Sequence, residues 1–251
     1  MCLNKNERID MLYSNDVKII QSAEVFSFSL DAVLLANFAE PIKKISGQVA
    51  DLCAGNGAVG LFLSSKTKAH IVEIEIQERL ADMAKRSIKL NELTNQMEVL
   101  NIDLANAYNY LRKDSFDTIT CNPPYFPNLN DSKKNENPYY AIARHEITVN
   151  LEKIVEIASG LLKMNGKAYF VHRPERSLEL LTLLQKNRLA PKKIQLVYPK
   201  KGREANMILV EAIKDGHRQG IRFLPPITVY NEDDQYGSFV QEILYGGKKA
   251  E

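Results

Sequence analysis

The chain has little cysteine, no long apolar run and almost no net charge, and each shortage removes a class of protein. Cys2, Cys53 and Cys121 have neither paired nor ligand-like spacing, so disulfides and zinc are set aside and reduced thiols in a cytosolic protein are expected. No apolar run is long enough to cross a bilayer, and Asn4 to Asp10 is polar and charged where a secretory leader needs an apolar core. A soluble, cytoplasmic protein with no membrane partner is the expectation. A formal charge of +2 is too small to announce a nucleic-acid binder, so the placement of the basic residues matters more than their number. No metal constellation and no internal repeat are visible. With 251 residues, 45% of them hydrophobic, the chain can bury one sizeable α/β core with modest extensions. Oligomeric state is not readable.

What is present is concentrated in a few short stretches. Asn122-Pro123-Pro124-Tyr125 follows a run that reads as a buried strand, Phe116 to Cys121. The Asn122 side-chain carbonyl and the Pro123 backbone carbonyl can both accept from one planar NH2 group. Two prolines fix the backbone and add no competing N–H. Tyr125, with Phe126 beside it, offers an aromatic face for a flat base or amide. The set suits an exocyclic amine whose lone pair is delocalised. A plain Pro-Pro turn ending a strand is the alternative.

Upstream lies Asp51-Leu52-Cys53-Ala54-Gly55-Asn56-Gly57-Ala58-Val59-Gly60, between a short apolar segment and an apolar helical run. The spacing of Gly55, Gly57 and Gly60 matches the dinucleotide fingerprint. Glu75 stands at the expected distance beyond it, at the end of a strand predicted over Ala69–Ile74, where its carboxylate can accept both ribose hydroxyls. Glu73 competes for that role. The two share a strand face, but Glu75 is nearer the carboxyl end, where ligands sit.

Glycine spacing alone does not separate NAD from S-adenosylmethionine, but two features do. Asp51 puts a carboxylate where the first strand meets the loop, repelling a pyrophosphate and attracting the ammonium of S-adenosylmethionine directly or through water. The predicted strands Lys193–Tyr198 and Met207–Ile213 are joined by a short basic turn, too short for a crossover helix, so they must be antiparallel. Further strands are predicted over Met97–Leu100 and Lys167–His172, with Asn165-Gly166 stopping the helix Leu151–Leu162. The expected fold is α/β and Rossmann-like: a mostly parallel seven-stranded sheet with an antiparallel last strand. This is the sheet plan of the S-adenosylmethionine-dependent methyltransferases.

Together with Phe28-Ser29-Leu30-Asp31-Ala32, Val72-Glu73-Ile74-Glu75, Ala143-Arg144-His145-Glu146, Val171-His172-Arg173-Pro174-Glu175-Arg176 and Asn206-Met207-Ile208-Leu209-Val210-Glu211, these motifs carry a resemblance. The chain resembles a class I N6-adenine methyltransferase, and is similar to the bacterial family that methylates the adenosine beside the anticodon of a valine tRNA. It departs from relatives at Cys53 and Asn56, where Gly and Thr are commoner. The resemblance implies S-adenosylmethionine as cofactor, held by Asp51, Cys53, Ala54, Gly55, Asn56, Gly57, Glu75 and Asp103. Asp103 is assigned to the adenine amine, against the alternative of an N-cap for a helix from Ala105. Phe28 and Asp31 are assigned to a lid over the methionine end, against simple packing on the first strand. The catalytic set is Asn122, Pro123, Pro124 and Tyr125. His145 is not read as a base, because the amine becomes acidic once attacked.

tRNA is the implied partner. Arg173 and Arg176, then Lys200, Lys201 and Arg203, and Lys133 and Lys134 all fall in loops at the carboxyl edge of the predicted parallel sheet. A basic rim around a base-sized pocket positions phosphates. Arg144 and His145 are assigned to the loop after Tyr125 or to RNA backbone. Residues 1–47 read as an N-terminal extension packing on core and cofactor, 48–214 as the methyltransferase domain and 215–251 as a C-terminal appendage. Two other functions stay open: N-methylation of a protein glutamine amide or of rRNA guanine N2, and a non-catalytic RNA-binding or cofactor-sensing role.

Overall fold

A computed structural model describes residues 3–12, 16–25, 29–125 and 149–246. Two strands that the polar start conceals open the chain. β1 (Glu7–Leu12) and β2 (Val17–Ser22) pair antiparallel, with Glu7 opposite Ser22 and Leu12 opposite Val17. Their partners are distant in sequence. Glu7, its side chain almost fully buried, receives both terminal nitrogens of Arg86 at 2.6 and 2.7 Å. Asn91 brackets the Lys18 backbone, accepting from its N–H and donating to its carbonyl. The Ile20 N–H donates to Ser87 Oγ at 2.9 Å. A hairpin held by contacts more than sixty residues away leaves little local periodicity to read.

The main sheet has nine strands among the described residues: β3 (Gln48–Leu52), β4 (His70–Glu75), β5 (Met97–Asn101), β6 (Phe116–Cys121), β7 (Leu162–His172), β8 (Leu189–Tyr198), β9 (Met207–Lys214), β10 (Arg222–Phe223) and β11 (Ile227–Thr228). Their order is β10-β8-β9-β7-β6-β3-β4-β5, with β11 also on β8. The strands β3 to β7 are mutually parallel, and β9 runs antiparallel between β7 and β8. The seven expected strands and the antiparallel hairpin are therefore present, and the short β10 and β11 are additions that the sequence did not announce.

Two boundaries differ from expectation. Asn165-Gly166 does not stop a helix, because the helix ends at Leu161 and β7 begins at Leu162. Asn165, at φ 63°, lies inside an irregularity where pairing to β6 jumps from Phe116–Leu162 to Thr118–Lys167. β8 starts at Leu189 rather than Lys193 and carries Pro191 at a register shift, a place where a missing N–H breaks no regular ladder.

Helices cover both faces. α1 (Leu30–Phe38), α2 (Ala58–Ser64) and α3 (Glu78–Leu90) pack on one, burying Val33, Leu35, Leu61 and Leu63 against Ile71, Tyr169 and Val171. On the other lie a 3-10 turn over Leu104–Asn109, α4 (Leu151–Leu161) and α5 (Ser177–Lys186), around Ile119, Phe170 and Val210. Each such fully buried aliphatic side chain contributes about 1.5–3 kcal/mol. α6 (Ser238–Tyr245) sets Val240, fully buried, into the first of these cores.

The chain leaves β3 for β4 and β5 on one side, then returns to β6 on the other. Such a reversal opens a crevice at the carboxyl ends of the two diverging strands. The glycine loop leaves β3 there, and Asn122 leaves β6.

Candidate active site

The glycine loop turns sharply because three residues take left-handed backbone angles: Cys53 (φ 58°), Gly55 (φ 59°) and Gly57 (φ 84°). The Ala54 N–H donates to the Ile74 carbonyl and the Gly57 N–H to the Ala54 carbonyl, each at 3.0 Å. Gly55 donates its N–H to Glu75 Oε2 and Gln77 donates to Glu75 Oε1, both at 2.8 Å. Glu75 is thus fixed by backbone on both oxygens, each keeping lone pairs for further donors. Burial raises its pKa, and the backbone donors pull it back. Asn56, buried, donates Nδ2 to the Ile20 carbonyl at 3.2 Å and so ties the loop to β2.

A cleft gathers Cys53, Ala54, Gly55 and Asn56 with Glu75, Asp103, Asn122 and Pro124. Asp103 Oδ1 accepts the Ala105 N–H at 2.9 Å. It therefore caps the 3-10 turn while lining the cleft, so the two roles weighed for it are compatible. Ile76, Ile102 and Leu104 form an apolar wall that no sequence motif marked. Their only signal is position, next to the acidic residues at the strand ends.

Asp51 is not among the cleft residues. It is 1% exposed and lies behind the loop, where its Oδ1 accepts from the Thr120 hydroxyl at 2.6 Å and its Oδ2 has no hydrogen-bond partner among the described residues. Burial pushes its pKa up to about 7, against the Thr120 hydrogen bond. Glu73, opposite Asp51 in the β3–β4 register, is fully buried and has no hydrogen-bond partner on either oxygen among the described residues. Burial first, then the charges of Asp51 and Glu75, raise its pKa well above the usual range. Glu73 does not line the cleft.

Asn122 and Pro124 face the cleft; Pro123 is buried beside them. The Tyr125 hydroxyl lies 2.6 Å from Asn122 Oδ1 and 2.5 Å from Asp31 Oδ2. Asp31 does not line the cleft; its carboxylate, in the first turn of α1, is turned to Tyr125. The Tyr125 ring has the Arg173 guanidinium 5.4 Å above its centre and the His172 ring tilted against it at 5.4 Å. A base stacking on Tyr125 must use the remaining face or displace Arg173. His172 accepts the Arg173 N–H at Nδ1 and is fully buried. Burial pushes its pKa down to about 4, so the ring is neutral and packs as a wall.

The basic residues sort by what already holds them. Arg173 donates Nη1 to the Asn206 carbonyl, Arg176 pairs with Glu179 and donates to the Tyr125 carbonyl, and Lys200 pairs with Asp234. Lys201 and Arg203 are exposed in the β8–β9 turn. Phe28, Phe126, Lys133, Lys134, Arg144 and His145, all singled out in the sequence, lie outside the described residues. Among the described residues, no metal-ligating cluster forms and no helix is long and apolar enough to cross a membrane.

Comparison with known proteins gives the family and the fold. The family model described as methyltransferase small domain matches residues 16–190. A tRNA1(Val) (adenine(37)-N6)-methyltransferase of Bacteroides fragilis is 27% identical over 214 residues, covering 84% of this chain and 88% of that protein. One of the same name from Aliivibrio fischeri is 31% identical over 144 residues, covering 57% and 58%. Among solved structures, a predicted O-methyltransferase of Agrobacterium tumefaciens superposes with a TM-score of 0.67 at 25% identity, covering 88% of this chain and 98% of that one.

Proposed function

The chain belongs to the methyltransferase small domain family, and from that premise we propose that it transfers a methyl group from S-adenosylmethionine to the exocyclic N6 of an adenosine in tRNA, beside the anticodon. The observation that carries the reading is the meeting of Glu75, Asp103 and Asn122 in one cleft. The names of the relatives supply adenosine and tRNA as the acceptor.

The residues present fit the cofactor. Glu75, anchored by two backbone donors, has lone pairs for ribose hydroxyls; Asp103 accepts from an adenine amine; Ile76, Ile102 and Leu104 supply the apolar wall that a flat ring needs. When bound, S-adenosylmethionine supplies an activated methyl on a sulfonium, so the protein need not create an electrophile. What remains for the chain is positioning. Asn122 Oδ1 and the Pro123 carbonyl accept from the planar amine and aim its lone pair, and holding reactants in line is worth up to roughly 7–11 kcal/mol of a barrier. Exposed Lys201 and Arg203 at the same sheet edge serve the phosphate backbone.

Incubation with labelled cofactor and bacterial tRNA, followed by nucleoside analysis, tests this. N6-methyladenosine is the expected product. Label in guanosine, in protein glutamine or nowhere would each replace the reading.

Asp51 adds a pH dependence. With its pKa pushed up to about 7, the free protein loses stability as pH rises from the ordinary carboxylate range towards 7, because the folded state binds the extra proton. Asp51→Asn is therefore expected to remove that slope, read as unfolding stability in denaturant titrations between pH 5 and pH 7.

A further inference from the structure

The Tyr125 hydroxyl carries one hydrogen but sits between two oxygens, Asp31 Oδ2 at 2.5 Å and Asn122 Oδ1 at 2.6 Å. It cannot donate to both. The competition matters, because a hydrogen given to Asn122 occupies the very carbonyl that the acceptor amine requires. A carboxylate is the stronger acceptor, since charge-assisted hydrogen bonds are shorter and about twice as strong as neutral ones. The hydroxyl also stays protonated: burial, then the adjacent Asp31 charge, raises the Tyr125 pKa well above its usual value.

We propose that Asp31 is a positioning residue that takes the Tyr125 hydrogen and thereby sets which end of the Asn122 amide faces the cleft. With the hydrogen committed to Asp31, the lone pairs of the Tyr125 oxygen face Asn122. The Asn122 amide, free to turn, is then best satisfied by giving its Nδ2 to Tyr125 and presenting Oδ1 to the incoming amine. Hydrogens run in one direction, from Asn122 to Tyr125 to Asp31. Remove Asp31 and the direction reverses: Tyr125 donates to Asn122 Oδ1 and competes with substrate. Arg173 over the ring, His172 against it and Arg176 on the Tyr125 carbonyl hold the tyrosine in place, so its hydroxyl stays between the two oxygens.

This rests on the reading of Asn122 as acceptor for a planar amine, and the test keeps the two apart. In single-turnover assays on tRNA at saturating cofactor, Asp31→Ala should lower the rate at least about tenfold, with S-adenosylhomocysteine affinity unchanged. In a Tyr125→Phe background, where no hydroxyl remains to block Asn122, the same Asp31→Ala change should have no further effect. The double variant should therefore be faster than Asp31→Ala alone, an order that a merely structural role for Asp31 does not produce. Asp31→Asn, an isosteric neutral acceptor, should fall between wild type and Asp31→Ala, and serves if the alanine variant does not fold. Equal losses in both backgrounds, a rate unchanged by Asp31→Ala, or a loss confined to cofactor affinity would overturn the proposal while wild-type methylation stands. A wild type that methylates no planar amine would remove the parent reading and this one with it.

Discussion

Asn122→Ala is expected to lower methyl transfer by about 10²–10³-fold while cofactor affinity stays close to wild type. The split follows from the geometry. Glu75 and the glycine loop are held by bonds among residues 54, 55, 74, 75 and 77, none of which involves Asn122. Truncation at 122 removes an acceptor for the substrate amine and leaves the backbone turn, which Pro123 and Pro124 enforce. Single-turnover rates and S-adenosylhomocysteine titrations on the same preparation separate the two quantities. A variant with unchanged turnover would take Asn122 out of the reaction. A variant that loses cofactor affinity in proportion to rate would make Asn122 a cofactor ligand instead.

What the sequence disclosed and what it hid divide along the range of the interactions. Gly55, Gly57, Glu75 and Asn122 were legible because each works through local backbone geometry: a tight turn, a strand end, a proline-fixed exit from a strand. The β8–β9 pairing was legible for a similar reason, since a short connection leaves no other geometry. The β1–β2 hairpin was not. Its anchors are Arg86 and Ser87 on α3 and Asn91 at that helix's C-terminal cap, and nothing near residues 7–22 shows that these partners exist. The pairs β10 and β11 make with β8 involve two residues each, too few for any periodicity.

Side-chain direction was the other hidden quantity. Asp51 was read towards the ligand, directly or through water, and the partner observed for it is the Thr120 hydroxyl on the neighbouring strand. Asp31 was assigned with Phe28 to a lid over the methionine end, and the partner observed for it is the Tyr125 hydroxyl, ninety-four residues away. In both cases the local pattern did not disclose the partner that the side chain meets. Partner choice depends on where two distant strands or helices cross, which local patterns do not encode.

Gly57→Ala and Gly60→Ala separate two penalties that coincide at the glycine loop. Both glycines lie over the buried carboxyl of Glu73. A Cβ on Gly57 would stand 2.7 Å from Glu73 Oε2 and 3.1 Å from Ala84 Cβ; one on Gly60 would overlap Glu73 Oε1. Overpacking of this kind costs about 1–3 kcal/mol. Gly57 adds a second penalty, because its φ of 84° lies where an L side chain costs roughly 1–2 kcal/mol. Gly60 has no such strain and sits inside α2, where alanine is favoured over glycine by about 1 kcal/mol. Gly57→Ala is therefore expected to lose about 2–5 kcal/mol of folding stability in denaturant titrations, and Gly60→Ala less. The Glu73→Ala change should test the assignment, since it removes the carboxyl both new methyls would strike. In that background the Gly60 penalty should shrink to the close approach of the flexible Met97 methyl, 3.0 Å from the new Cβ, while Gly57→Ala should keep its backbone share and weaken cofactor binding, because the turn presenting Gly55 to Glu75 depends on the angle at residue 57. Equal rescue of both substitutions by Glu73→Ala would mean that packing on Glu73 alone, and not the backbone angle at Gly57, demands glycine in this loop.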